Sequence, residues 1–595
     1  MNRDQLLERL ERERSWDFVV IGGGATGLGI AVDAASRGFR VALLEQADFT
    51  KSTSSKSTKL VHGGVRYLAQ GDVRLVLEAL KERGLMRRNA PHLVRDQSFV
   101  IPCYRWWEAP FYGIGLTLYD LMAGRLSFGR SRYLSRKRAL EAVPALSADK
   151  LRGGILYHDG QFDDSRMAVN LAQTAVEHGA VAVNYVRVEK LLKTDGRLSG
   201  VEAVDLESGR RFRLDAKTVV NATGVFVDSI LQMDDPTGIH LVRPSQGVHL
   251  VLDRKFLRSE QAVMIPKTDD GRVLFAVPWH NYVVVGTTDT TVERPSLEPR
   301  PLEEEIDFIL RTADRYLSGR PRREDVLSVF AGLRPLAAPK SSGESTKEIS
   351  RSHKIMVSGS NLITIIGGKW TTYRRMAQDT VDRAISLGLV ARARCVTENL
   401  RIHGYRETTD FDHYLYVYGS DLEKVEALIR SSEENGRQLH PRFGFRVGQV
   451  VWAVREEMAL HVEDVLSRRI RALFLDARAA REMARPVAEI MARELGRPGE
   501  WIESETRSFQ SLCDGYVLQR ERIISKWTVK NTYSPWIREL LRPGPLSSIG
   551  RGRSWPRLSA VSSRSFPVPD GSSTMPRKYG TPSRRLPPRR SPKRI

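Results

Sequence analysis

Apolar residues along this chain gather either in short unbroken blocks or at helical intervals, and the alternation of the two predicts an α/β fold. Phe18, Val19, Val20 and Ile21 form an unbroken block, as a strand covered on both faces requires. Residues 25–36, rich in Ala, Leu and Ile, follow as a helix, Gly38 ends it, and residues 40–44 make a second strand. Further on, 164–178 reads as a helix with Met167, Leu171 and Val176 apolar, and 181–188, 200–206 and 210–214 as a small meander. Residues 218–222 return as a buried strand. From 243 to 290 the pattern is mostly β, 303–318 reads as a helix, 326–332 and 361–366 as strands, and a helix begins near Thr371. Residues 409–530 differ in kind, being helical with polar faces, as at 449–460 and 462–475. There Glu463 and Asp464 stand a turn before Arg468, Arg469 and Arg471, a spacing that predicts ion pairs on a helix surface.

Two further stretches carry apolar faces. Residues 4–14 predict a short, solvated lead-in helix with Leu6, Leu7 and Leu10 on one side. Residues 106–122, WWEAPFYGIGLTLYDLM, are the most apolar and aromatic in the chain and are flanked by Arg105 and Arg125. Glu108 and Asp120 interrupt them, so they do not span a bilayer. They suit a membrane interface, or packing within or between domains.

The turn after the first strand spells Gly22-Gly23-Gly24-Ala25-Thr26-Gly27, a G-x-G-x-x-G where a helix must start. Gly22 allows the tight turn, Gly24 lets backbone approach a pyrophosphate, and Gly27 lets helix and strand pack closely. The free N–H groups and the macrodipole at the helix start favour the anion. Glu45, 18 residues past Gly27, stands near the spacing of an acid that binds ribose hydroxyls. Strand, turn, helix and acid together predict a bound dinucleotide.

Composition narrows the rest. A chain of 595 residues exceeds one core, so two or three domains are expected. Its three cysteines, Cys103, Cys395 and Cys513, are far apart, which argues against a disulfide framework or a zinc site; no metal is expected. The first residues carry no apolar signal segment, and no run of 18 apolar residues occurs. The net charge of +22 suggests nucleic acid until it is located. Residues 531–595 hold 14 Lys/Arg against 2 Asp/Glu, with ten prolines between Pro543 and Pro592, and supply more than half of the excess. This composition predicts a disordered basic tail, with no specific nucleic acid expected.

Several motifs, in order, carry a family resemblance: GGGATGLGIAVDAASRG, SSKSTKLVHGGVRYL, TVVNATGVFVD (218–228), VVVGTTDT (283–290), AGLRPL (331–336) and IIGGKWTTYRRMA (365–377). Over about residues 16–530 the chain resembles the FAD-dependent (respiratory) glycerol-3-phosphate dehydrogenases. The resemblance implies non-covalently held FAD in a Rossmann-like domain over 16–400. An antiparallel β-sheet capping the substrate would be interleaved with it, mainly at 105–150 and 240–335. The lead-in helix would occupy 1–15, a C-terminal helical domain 401–530 and the tail 531–595. It further implies oxidation of sn-glycerol 3-phosphate to dihydroxyacetone phosphate by hydride transfer to the flavin N5, with electrons passed to a membrane quinone. Peripheral attachment to the inner face of the cytoplasmic membrane is implied too, and a homodimer stays open.

On the matching motifs, Arg66 and Lys369 become phosphate binders with Tyr67 as a hydrogen-bond partner, and Arg334 stands near the C2 oxygen. His62 and His249 are the candidates for proton removal, since imidazole titrates near neutral pH. The cofactor set is Gly22, Gly23, Gly24, Ala25, Thr26, Gly27, Glu45, Ser55, Ser57, Thr58, Lys59, His62, Gly63, Gly64, Gly224, Gly368 and Thr371. The helix start after Gly367-Gly368-Lys369 suits the negative charge that builds near a reduced flavin's C2 carbonyl. Two other readings stay open: an oxidase of the same substrate that releases peroxide, and a membrane or nucleic-acid adaptor built on the basic tail.

Overall fold

In the computed structural model the strand Ser15–Ile21 pairs in parallel on both flanks, with Val41–Leu44 on one side and Arg211–Asn221 on the other. The described residues are 1–518, apart from 70, 239, 269–270, 338–352 and the side chains of Arg66 and Ala69; the tail predicted at 531–595 lies outside them. A strand paired on both edges and covered on both faces meets no water, so Phe18, Val19 and Val20 are apolar without alternation and fully buried. Among the described residues the eight-stranded sheet runs Lys354–Val357, Ile363–Ile366, Arg211–Asn221, Ser15–Ile21, Val41–Leu44, Val181–Val183, with Arg197–Asp205 and then Val186–Thr194 branching from Arg211–Asn221. The chain leaves its first strand toward Val41–Leu44 and later returns to the opposite flank. Strand order therefore reverses beyond Ile21, where a crevice opens at the carboxyl ends of the strands.

The strands predicted at 210–214 and 218–222 are one strand, Arg211–Asn221. Its first half pairs with Arg197–Asp205 and alternates between water and core; its second half enters the parallel sheet and is wholly buried. The leucine stripe of the helix Arg3–Arg12 is not solvated as predicted. Leu6, Leu7 and Leu10 are buried against the edge strand Val181–Val183.

A second sheet of ten strands is built around Val242–Asp253, which pairs with Tyr282–Gly286 on one side and Val326–Ala337 on the other. It continues through Leu274–Trp279 and Ala262–Ile265 to Val94–Cys103 and Gly153–Phe162. These last two strands lie outside the segments assigned to the cap from sequence. Their antiparallel register runs from Val94 opposite Phe162 to Cys103 opposite Gly153.

The C-terminal helices include Val447–Glu457, Ala477–Leu495 and Gly499–Cys513, and close on a core of Val450, Leu466, Leu473, Met483, Val487 and Phe509. The helix predicted at 462–475 is broken. Asp464–Arg469 forms a wide π-type turn, Arg471 takes a left-handed backbone at φ 66°, and only Ala472–Leu475 resumes as α-helix. The charges predicted for its surface are buried instead. Arg468 and Arg469 both bond Asp48, at 2.5 and 2.7 Å, and Arg471 bonds Asp164 at 2.9 Å. Long-range partners outside the helix, invisible to an i,i+4 reading, take these arginines inward.

Candidate active site

Where strand order reverses, a cavity of about 620 Å³ runs from Glu45 and Gly22 to Arg334 and Lys369. At one end it meets the start of the helix Ala25–Ser36. Gly22 holds φ at 110°, and a Cβ there would come within 2.7 Å of the Ala222 carbonyl oxygen. A Cβ on Gly27 would lie 1.9 Å from the Gly22 carbonyl oxygen, so the helix reaches the strand only because both residues lack side chains. The Ala25 N–H donates to Ser54 Oγ at 3.0 Å, and the Trp370 indole donates to the Ser54 carbonyl at 2.8 Å. Glu45 accepts from the Gly23 and Ala47 N–H groups at 2.6 and 2.8 Å. Burial pushes its carboxyl up to about 7 against the lowering pull of those two donors.

At the other end, Arg334 is fixed by Asp289 at 3.1 Å, Thr287 Oγ1 at 3.2 Å and the Thr288 carbonyl at 3.1 Å. Lys369 Nζ stands 4.0 Å from the centre of the Tyr67 ring, close enough for a cation–π contact. Gly367, Gly368, Lys369, Trp370 and Thr371 line the cavity ahead of the helix Tyr373–Ser386. The donors fit a dinucleotide: a helix start for the pyrophosphate, an acid on the neighbouring strand for a ribose, and a cationic far end for charge that develops there.

A family model described as FAD dependent oxidoreductase matches residues 17–374, and one described as the C-terminal domain of alpha-glycerophosphate oxidase matches 350–502. The mitochondrial glycerol-3-phosphate dehydrogenase of Mus musculus is 40% identical over 548 residues, which cover 85% of this chain and 75% of that protein. Its counterpart in Saccharomyces cerevisiae is 36% identical over 591 residues, with 86% and 91% covered. The crystal structure of the glycerol-3-phosphate dehydrogenase from Bacillus halodurans, complexed with FAD, is 31% identical. It superposes with a TM-score of 0.71, over 87% of this chain and 99% of that one. The chain belongs to the FAD-dependent glycerol-3-phosphate dehydrogenases.

In this dehydrogenase the predicted site residues divide. Gly22, Gly24, Ala25, Thr26, Glu45, Ser57, Thr58, His62, Tyr67, Gly224, His249, Arg334, Gly368, Lys369 and Thr371 line the cavity. Gly23, Gly27, Gly63 and Gly64 do not; they shape its walls from behind. Ser55 and Lys59 turn away from it. Lys59 Nζ sits under the floor on Asp164 and the Ser55 carbonyl, both at 2.6 Å, while Ser57 reaches the same Asp164 from above at 2.6 Å. The Arg66 side chain lies outside the described residues.

His249 is a poor proton acceptor. It is buried, stacks on Phe330 at 4.8 Å, and its Nε2 lies 2.9 Å from Thr58 Oγ1. Burial first, and then the charges of Lys59 and Arg334, push its pKa well below the usual imidazole value. Its imidazole is therefore neutral in the cavity wall beside Thr58, and His62 lines the same cavity. The cofactor set named from sequence leaves out Ser52, Thr53 and Ser54, which belong to the same hydroxyl run and line the cavity, and Trp370, which holds Ser54. The G-x-G-x-x-G helix start followed by a hydroxyl run was the available signal; which hydroxyls face inward was not.

Proposed function

We propose that the cavity oxidises sn-glycerol 3-phosphate at C2 to dihydroxyacetone phosphate. The observation that carries this is that Lys369, 4.0 Å from the centre of the Tyr67 ring, and Arg334 line the same cavity as the start of the nucleotide helix. Lys369, with Arg66, holds the phosphate dianion, and the Tyr67 hydroxyl orients it. Arg334 donates to the C2 oxygen; its ties to Asp289, Thr287 and Thr288 fix the donor before substrate arrives, which is where preorganised stabilisation comes from. His62 accepts the C2 hydroxyl proton. FAD, when bound, supplies the acceptor for the C2 hydride.

The enzyme attaches to the inner face of the cytoplasmic membrane through the helix Glu108–Ala123, and its electrons go to a membrane quinone. Support for the attachment comes from one stripe. Trp107, Phe111, Ile114, Leu118 and Leu121 recur every three or four residues and are between 41% and 74% exposed, beside Trp106 and between Arg105 and Arg125. Exposed tryptophans beside arginines on an amphipathic helix suit the headgroup level of a lipid surface. Among the described residues no helix is long and apolar enough to cross a membrane.

Anaerobic addition of glycerol 3-phosphate to the FAD-loaded protein tests the reaction. The flavin spectrum should bleach with the phosphate ester and not with glycerol, and a short-chain quinone should restore it without peroxide. A yellow protein that glycerol 3-phosphate leaves unchanged removes the substrate; recovery only with oxygen and peroxide release removes the quinone.

A further inference from the structure

We propose that Tyr119 is a positioning residue for the substrate pocket, holding the turn at 62–64 in register through its hydroxyl. Tyr119 lies on the inner side of the helix Glu108–Ala123, where only Leu116, Tyr119 and Ala123 are buried. Its hydroxyl accepts the Gly63 N–H at 2.8 Å and donates to Asp159 at 2.9 and 3.0 Å. Asp159 is held in turn by Arg83 at 2.5 Å, whose guanidinium lies over the rings of Phe128 and Tyr119 at 4.5 and 5.7 Å. Arg83, Tyr119 and Asp159 are all almost completely buried. A phenylalanine would fill the same apolar space. The hydroxyl adds the one thing a ring cannot, a fixed partner for a backbone N–H whose other acceptor, Asp159, is 3.4 Å away.

Contact reinforces the hydrogen bond. A Cβ on Gly63 would fall within 2.5 Å of the Tyr119 hydroxyl and 2.6 Å of Leu80, so the turn is wedged against the helix from outside. On its inner side the same turn bears on the site. His62 lines the cavity and donates its N–H to Thr371 Oγ1 at 3.2 Å. Gly64 abuts the Tyr67 ring, over which Lys369 stands. Displacing Gly63 therefore displaces Tyr67 against Lys369. The inference rests on reading those two residues as the phosphate site.

Steady-state kinetics of the FAD-loaded Tyr119→Phe variant test it, with Lys369→Met assayed beside it. The expected result for Tyr119→Phe is a rise in KM for glycerol 3-phosphate of about fivefold to tenfold, the scale of one buried hydrogen bond. Turnover at saturation should fall as well, because His62 sits on the same turn, while FAD remains bound, a pattern that a merely structural role would not produce. Lys369→Met should raise KM further. If Tyr119→Phe lowers only the melting temperature while Lys369→Met raises KM, the positioning role is overturned and the phosphate site stands. If Lys369→Met leaves KM unchanged, both fall. Should Tyr119→Phe lose its FAD, Gly63→Ala presses on the same turn with the hydroxyl intact, and an unchanged KM there overturns the proposal.

Discussion

Glu45 meets two demands that pull against each other. Its carboxylate caps the Gly23 and Ala47 N–H groups, yet burial raises its pKa to about 7, so near neutrality the empty site holds it partly protonated. A ribose hydroxyl that donates to it favours the charged form and lowers that pKa on binding. Binding then expels a proton below about pH 7, and FAD affinity of the apoprotein should climb as pH rises toward 7 and level off above it. Titrating the apoprotein with FAD across that range checks this. Glu45→Gln should bind more weakly with a flat profile, and a flat wild-type profile would remove the ribose role. Glu45 was legible in the sequence because a motif sets it at a fixed distance from Gly27. Ser55 was not, because Thr53–Ser55 is a single 3-10 turn with no period from which to read an inward face, and Lys59 was not, because its partner Asp164 lies 105 residues further on. Tyr119 was hidden for another reason: among Trp106, Trp107, Phe111 and Tyr112, nothing local marks the one aromatic whose hydroxyl finds Gly63, 56 residues earlier.

The helix Glu108–Ala123 has the reverse of an ordinary amphipathic distribution. Its apolar stripe faces water and its few anchors, Leu116, Tyr119 and Ala123, face the protein. Replacing both Ile114 and Leu121 by glutamate should therefore leave the fold and the reaction with a soluble acceptor unchanged. Vesicle binding should fall by at least about tenfold, since each apolar side chain returned to lipid contributes roughly 1.5 kcal/mol or more. Co-sedimentation with phospholipid vesicles reads the outcome, and unchanged binding would remove this helix as the attachment. The stretch was visible from composition, but its exposure was not, because periodicity alone does not say which partner an apolar stripe meets. Ser15–Ile21 shows the opposite limit. An unbroken apolar block has few alternatives to a doubly covered strand, so strand, turn and helix were readable there. At 462–475 local spacing gave only part of the answer: Arg468 does pair with Glu463 and Asp464, both at 2.7 Å, but Asp48 and Asp164, far away in sequence, draw the three arginines inward and bury the pairs.

Across the whole described chain, charge joins the helical C-terminal segment to the nucleotide-binding sheet. Arg468 and Arg469 share Asp48, Arg166 grips Glu457 through two bonds of 2.7 and 2.8 Å, and Arg471 reaches Asp164. These pairs are buried, so deleting one member leaves the other uncompensated at a cost of about 3–5 kcal/mol. Nearer the surface two histidines do the same work with a titratable charge. His403 lies between Glu177 and Asp421 at 2.5 and 2.7 Å, and His461 between Glu505 and Glu207 at 2.9 and 3.0 Å. Burial alone would lower both pKa values, but the flanking carboxylates prevail and raise them to about 9 and about 10. Each folded-state pKa lies above the value of about 6.5 for an unfolded histidine. The folded protein therefore keeps protons that the unfolded chain releases between those limits. The stabilisation is complete below about pH 6.5 and is lost as pH rises through 9 and then 10. The melting temperature of the FAD-loaded enzyme should accordingly fall from pH 7 to 10. In His461→Gln the fall should be shallower, by a part of the ~1.4 kcal/mol per pH unit that one full proton carries. The gap between wild type and variant should be widest near pH 7 and close by pH 10; a gap independent of pH would mean that His461 holds the segments by packing and not by charge.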